Sequence, residues 1–395
     1  MNDVHSILPE RDDNFFDGVI KMVASGMPLR EAIDMIISAQ NGALICIGDV
    51  EKVLMLGNGG FKIDQPFTPQ RLFELSKMDG AIVLSEDLKQ IVCANFHLNP
   101  DPEILTPETG MRHRSAARTS AQTDATVIAI SKRRVQTTLY HTGEALTLDS
   151  DAILLTKGNQ GLLALQNLKN TLERASMRLS FLELDDIATV ADVTNLIKRY
   201  CTLLIIAVET ERYINFLGSN SGLLRNQLEE IVGGMVDSFM LVIRDYAVDD
   251  SKKSIDTIAS TLLAAALDEG AAASTGTATG AATVAATGAT GATGATAGAT
   301  GSTAPDNTAP AKTVMELLGH TQSYVDEDHI SPRGFRAISR ISMLDEVAVS
   351  KIVEEYGSLS AIVSDSKDGF DRLEDLGVDN VRAIAKSFMQ LRSTL

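Results

Sequence analysis

Tryptophan is absent from this chain, and aromatic residues together make up only 5% of its 395 residues. A core built from such a sequence must be aliphatic, with methionine filling gaps between Ile, Leu and Val. Cysteine is scarce too: Cys46, Cys93 and Cys201 lie far apart, each within or beside an apolar run. An odd number without Cys-x-x-Cys spacing argues against a disulfide framework or a zinc site, and for buried thiols in a reducing compartment. Long hydrophobic runs are lacking. The most apolar stretch, Leu203 to Val208, falls far short of the roughly 20 residues a membrane-crossing helix needs. The opening MNDVHSILPERDDNFF has no basic segment followed by an apolar one, so no signal peptide and no membrane partner are expected, and the expected location is cytoplasmic. Positive charge is in deficit: the formal net charge is −17. Such a balance opposes non-specific contact with nucleic acid, so phosphate binding must rest on local basic clusters.

What is present divides into four blocks. In residues 1–148, Phe15 to Gln40 has helical spacing, with Pro28 placed to open a second helix. Short apolar runs bounded by turn residues then predict strands at Ala43–Ile47, Val53–Leu56, Ala81–Leu84, Ile91–Ala94, Val127–Ile130 and Thr137–Tyr140. Helical patterns at Thr68–Lys77 and Arg114–Thr123 sit between them. This mixture predicts an α/β (α+β) domain with a central mixed sheet. Residues 149–269 show helical periodicity at Gly161–Phe181, Val190–Tyr200, Ser221–Tyr246 and Ile255–Leu267, punctuated by Gly158, Gly218 and Gly222; an all-helical middle domain is expected. Residues 270–311 are almost entirely Ala, Gly and Thr and cannot bury enough surface to offset the ordering entropy, which predicts a flexible linker. Residues 312–395 return to helical patterns, with Pro332 placed to open a helix.

Two short stretches in the first block carry candidate chemistry: Asp79-Gly80-Ala81 before the strand at 82–84, and Arg112-His113-Arg114 before the helical run from Ser115. Alone, an Asp-Gly pair marks a turn and an Arg-His-Arg run marks a solvated face. Their order and flanks say more. Gly42-Ala43-Leu44-Ile45 lies upstream, Gly57-Asn58-Gly59-Gly60-Phe61 and Ala94-Asn95-Phe96-His97-Leu98 lie among them, and Ile128-Ala129-Ile130-Ser131 followed by Lys132, Arg133 and Arg134 lies downstream. Guanidinium groups such as Arg112 and Arg114 bind phosphate oxygens bidentately. A carboxylate such as Asp79 can hold a hard cation, and a glycine such as Gly80 admits close backbone approach. His97 reads as a structural hydrogen-bonding residue, and His5, His141, His320 and His329 form no ligand spacing.

The arrangement resembles the diadenylate cyclase family, in particular its DNA-integrity-scanning members. The resemblance covers the first block nearly end to end and continues through the helical middle and the tail, missing only the Ala/Gly/Thr tract. It implies condensation of two ATP molecules into the second messenger cyclic di-AMP, with Mg²⁺ or Mn²⁺ as cofactor. Asp79 would act on the 3′-hydroxyl and the metal, with Arg112 and Arg114 as the other catalytic residues. Gly80 and Ala81 would lie against the ribose and Leu98 would hold adenine through its backbone. Arg112, His113, Arg114, Ser115 and Ser131 would contact phosphates or metal, His113 being the second candidate ligand. Position 111 belongs to the same nucleotide-contacting set; it is Met111 where the family leads one to expect Thr. Each site would hold one ATP, so two subunits must face each other, and the resemblance implies a homo-octamer. The rival reading is a nucleotide- and DNA-binding scaffold with little turnover.

The tail resembles a pair of helix-hairpin-helix units, which implies DNA binding through backbone phosphates, weak and directed at branched or recombination structures. Ile338–Leu344 falls at the first hairpin and Leu373–Asp379 at the second; Gly377, Val378, Arg382 and Lys386 are the candidate DNA contacts. From Ser331 onward nine basic residues face ten acidic ones, a poor balance for phosphate binding.

Overall fold

The structure, a computed structural model, describes residues 7, 13–132, 136–249, 251–277, 314–341, 344–365 and 386. It divides into two compact units, one of Asp12–Gln160 with Thr210–Asn226 and one containing Gly161–Glu209 and the residues from Gln227 on.

The first unit is an α/β domain. Helices α1 (Asp13–Val23) and α2 (Pro28–Ser38) come first, and Pro28 opens α2 as its sequence position predicts. The sheet follows: β1 (Ala43–Ile47), β2 (Gly57–Asn58), β3 (Phe61–Pro66), β4 (Ala81–Leu84), β5 (Gln90–Leu98), β6 (Thr126–Ser131), β7 (Gln136–His141) and β8 (Glu144–Leu148). Its order is β2-β5-β4-β1-β6-β7-β8, with β3 also pairing β5. Only the β1–β4 pair is parallel, so the sheet is mixed. Every residue of β1 and β4 is buried, as strands covered on both faces require. One face packs Leu44, Cys46, Ala81, Val83, Val127, Ala129 and Tyr140 against Ala116 and Ala117 of α5 (Met111–Gln122). The small alanines let that helix lie close to the sheet at the level where the sequence motifs converge. Cys46, Cys93 and Cys201 are buried cysteines outside any disulfide, and burial pushes the Cys46 thiol up to about 12.

Several expectations need correction. Val53–Leu56 is not a strand: Val53 to Met55 close α3 (Val50–Met55), and Leu56 is its C-cap. Only Val53 is buried, with Val50 packed beside it one turn away, while Met55 is 81% exposed; a four-residue apolar run does not discriminate strand from helical turn. The helix expected from Arg114 begins at Met111, so Arg112-His113-Arg114 forms its first turn instead of preceding it. The helix at Thr68–Lys77 is α4 (Pro69–Leu75), capped by the Thr68 side chain.

In the helical region α6 (Asp151–Leu184) starts ten residues before the expected Gly161 and runs through Gly158. That glycine is no breaker: an added Cβ would touch Leu224 at 3.5 Å, so it serves close packing. α7 (Val190–Phe216) carries on past Tyr200. The Ser221–Tyr246 pattern is two helices, α8 (Gly222–Val232) and α9 (Met235–Tyr246), divided at Gly233-Gly234. α10 (Lys252–Thr277) extends through residues 270–277, where the Ala/Gly/Thr tract was expected to begin; the rest of that tract, 278–311, lies outside the described residues. No helix among the described residues is long and apolar enough to cross a membrane.

Beyond the tract, α11 (Phe335–Ile338), α12 (Glu346–Tyr356) and α13 (Leu359–Asp365) belong to the same unit as the helical middle. Pro332 does not open a helix; α11 begins three residues later behind Gly334 at φ 116°. The reason is an acceptor from elsewhere in the chain. The Asp245 carboxylate, on α9, accepts the backbone N–H groups of Gly334, Phe335 and Arg336 at 2.8, 2.6 and 3.0 Å and so fixes where α11 starts.

Candidate nucleotide site

The site is a cleft of about 500 Å³ in the α/β unit, lined by Leu44, Gly80, Ala81, Phe96, His97, Leu98, Gly110–His113, Ser115, Ser131 and Lys132. Four chain segments meet there because the sheet brings the ends of β4, β5 and β6 beside the start of α5.

Each segment has a local reason for its path. The turn before β4 places Gly80 at φ 89°, and a Cβ there would lie 2.8 Å from the Asn95 carbonyl carbon and 3.0 Å from the Phe96 nitrogen. Only glycine fits both the left-handed backbone and the approach to β5. Ala81 then pairs with Phe96, which sets Gly80 and Ala81 against the Phe96–Leu98 end of β5. At α5, Gly110 occupies the N-cap position without a side-chain cap, and the first-turn backbone N–H groups form the kind of end that binds anions. Gly42, just before β1, leaves room for Arg112: a Cβ at Gly42 would sit 2.4 Å from a guanidinium nitrogen. Ser131 ends β6.

Of the residues expected to contact nucleotide, Gly80, Ala81, Leu98, Met111, Arg112, His113, Ser115 and Ser131 line this one cleft. Asp79 is exposed and adjoins the cleft through Gly80 without forming its wall. Arg114 is not on the lining either; its Nε donates to the Glu108 carbonyl at 3.4 Å. Among the described residues neither Arg112 nor Arg114 is paired with a carboxylate. In a chain of net charge −17, two unneutralised guanidinium groups within three residues make the positive field an anionic ligand needs. Met111 is 77% exposed at the rim.

One feature escaped the sequence reading. The Tyr140 hydroxyl donates to Glu108 Oε1 at 2.7 Å and lies 3.0 Å from His113 Nδ1. Burial, and then the Glu108 carboxylate, hold the phenol well above the usual range, so it stays protonated. Residues 27 and 32 positions from Tyr140 meet here, and no local pattern announces that.

No group of three or more His, Cys, Asp or Glu able to hold a metal ion exists among the described residues. Asp79 and His113, the candidate ligands, would offer a cation one carboxylate and one imidazole, and an ion of the Mg²⁺ type takes one or two protein ligands, with substrate phosphates and water completing its shell. A larger hollow of about 720 Å³ is lined by Arg30, Glu31 and Asp34, but there Arg30 is already bound to Asp34 and Asp151. Of the candidate DNA contacts, Gly377, Val378 and Arg382 lie outside the described residues, as do Arg133 and Arg134; Lys386 is an exposed helical residue.

Comparison with known proteins follows the same division of the chain. The family described as DisA bacterial checkpoint controller nucleotide-binding matches residues 30–145, and the one described as DisA bacterial checkpoint controller linker region matches residues 148–275. The DNA integrity scanning protein DisA of Carboxydothermus hydrogenoformans is 36% identical over 375 residues, covering 94% of this chain and 96% of that protein. That of Symbiobacterium thermophilum is 37% identical over 381 residues, covering 96% and 97%. That of Clostridium botulinum, strain Langeland, is 33% identical over 391 residues, covering 98% of each.

Proposed function

Because this chain belongs to the DNA integrity scanning protein DisA family, with a nucleotide-binding domain followed by the DisA linker region, we propose that it is a diadenylate cyclase acting in the cytoplasm. The observation that carries the reading is the convergence of Gly80-Ala81, Leu98, the Arg112-His113 helix start and Ser131 on one cleft.

In the proposed reaction two ATP molecules lie face to face. The 3′-oxygen of each loses its proton and bonds to the α-phosphorus of the other; the bond from that phosphorus to the bridging oxygen of pyrophosphate breaks. Two phosphodiester bonds form and two pyrophosphates leave. Such a transfer depends on positioning and on neutralising phosphate charge. Arg112 and the start of α5 supply positive field at the phosphates, with Arg114 beside them. Gly80 and Ala81 set the ribose against the sheet, Leu98 takes adenine, and Ser115 and Ser131 donate to phosphate oxygens. Asp79 acts on the 3′-hydroxyl. A Mg²⁺ or Mn²⁺ ion held by Asp79 and His113 would neutralise phosphate charge and acidify that hydroxyl. One cleft accommodates one ATP, so the reading requires facing subunits in a homo-oligomer, with the octamer as the proposed form.

Residues 312–395 are proposed to bind DNA backbone weakly as helix-hairpin-helix units, with Gly377, Val378, Arg382 and Lys386 at the contact, and so to couple DNA structure to synthesis. Removing the whole tail is a poor test, since Phe335 and Arg336 are buried within the helical unit. Charge reversal at Arg382 and Lys386 is preferable; unchanged affinity for a four-way junction would contradict the assignment.

The cyclase reading is tested by incubating the full chain with ATP and either metal and identifying products by chromatography. Cyclic di-AMP with two pyrophosphates per product is expected. Bound but unconverted ATP would favour the scaffold reading, whose specific support is Met111 at the rim.

A further inference from the structure

We propose that Glu108 and Tyr140 are positioning residues for His113, fixing its ring orientation and its tautomer at the mouth of the nucleotide cleft. The inference rests on the cyclase reading, since it concerns what His113 presents to a bound nucleotide.

A phenol carries a single hydrogen, and Tyr140 donates it to Glu108 Oε1 at 2.7 Å. The contact at 3.0 Å between the Tyr140 oxygen and His113 Nδ1 must then be donated by the imidazole. Nδ1 therefore bears a proton, so the nitrogen that would take a cation is Nε2. The reverse assignment would set the phenol hydrogen on His113 and leave two acceptor oxygens facing each other at 2.7 Å.

The supporting parts are rigid. Tyr140 is 1% exposed within β7, and its ring meets the imidazole edge-on with centroids 6.2 Å apart. Glu108 lies in the loop before α5, and that loop is tied down by the helix it precedes. Arg114 Nε donates to the Glu108 carbonyl, while Arg118 donates to the carbonyls of Ile104 and Pro102 at 3.0 and 2.7 Å. The arginine turn that faces the cleft thus also holds the carboxylate that orients its histidine.

The test compares Tyr140→Phe and Glu108→Gln with the wild-type full chain, reading cyclic di-AMP synthesis and, separately, Mn²⁺ affinity in the presence of ATP by electron paramagnetic resonance. Tyr140→Phe keeps the packed ring and removes only the hydroxyl. A fall in kcat and in Mn²⁺ affinity of about 10- to 100-fold is expected, with KM for ATP nearly unchanged. In a His113→Ala background, adding Tyr140→Phe should change Mn²⁺ affinity no further. Wild-type kcat and Mn²⁺ affinity in Tyr140→Phe, or a further loss in the His113→Ala background, would overturn the proposal alone. A wild-type chain that binds Mn²⁺ and ATP without converting it would overturn the cyclase reading and leave the Mn²⁺ comparison to judge the relay. A wild-type chain that binds neither would overturn both.

Discussion

Two regions of this molecule bring arginines and carboxylates together, and they treat the charges in opposite ways. At the cleft, Arg112 and Arg114 have no carboxylate partner among the described residues, Asp79 is exposed, and shape comes from backbone: Gly42, Gly80 and the start of α5. In the helical unit, Glu183, Asp245 and Arg336 are 3%, 2% and 5% exposed and bond one another's elements. Asp245 fixes the start of α11, and Arg336 reaches Ser180 Oγ at 2.7 Å and Glu183 Oε2 at 3.0 Å. The Tyr246 hydroxyl donates to the other Glu183 oxygen at 2.6 Å. The first group of charges is held apart, ready for a ligand. The second is enclosed and closes on itself, which is how buried ions are tolerated.

Breaking one partner in each region should sharpen the contrast. Arg112→Ala should lower cyclic di-AMP synthesis by at least about 100-fold, the scale of losing one donor aimed at developing charge, without changing urea unfolding. Arg336→Ala should do the reverse, costing about 3–5 kcal/mol because Glu183 would remain buried without its cation. Unfolding curves and initial rates on both variants check this; matching losses of stability would erase the distinction. Gly80→Ala should do both, destabilising by about 1–3 kcal/mol through its positive φ and its approach to Asn95, with synthesis falling alongside.

A pH series tests the buried pair. Burial pushes Glu183 up to about 7 against the pull of Arg336. A carboxyl with a raised folded pKa binds its proton more tightly when folded, so stability should fall as pH rises from about 4.5 to about 7 and then level off. Glu183→Gln should shrink the drop in urea titrations, and what remains belongs to Asp245, whose carboxyl burial also raises. The smallest effect expected is at the rim: Met111→Thr should change synthesis only a few-fold, upward, since no fold contact depends on a side chain 77% exposed.

The same contrast explains what could be read from the sequence. β1, β4 and β6 were legible because their apolar runs are buried on both faces, and Gly80 because an Asp-Gly before a strand demands a turn. β3 and β8 were not: they lie mostly exposed, so no buried apolar run marks them. The cleft residues arrived as short contiguous motifs, each on one element. The Glu108–Tyr140–His113 contact and the Asp245 cap on α11 join residues 27 to 91 positions apart, so only the folded chain shows them. The tail's charge count includes Arg336, which the fold takes into a buried ion pair with Glu183, so the basic surface of the tail is smaller than the count.

The most direct test of the account is one comparison, Asp79→Asn against wild type, with ATP and Mn²⁺ and separation of the nucleotide products. Asp79 is exposed and supports no packing, so the variant should fold and assemble as before. Cyclic di-AMP is expected from the wild type and none from the variant. Equal synthesis by both would contradict it.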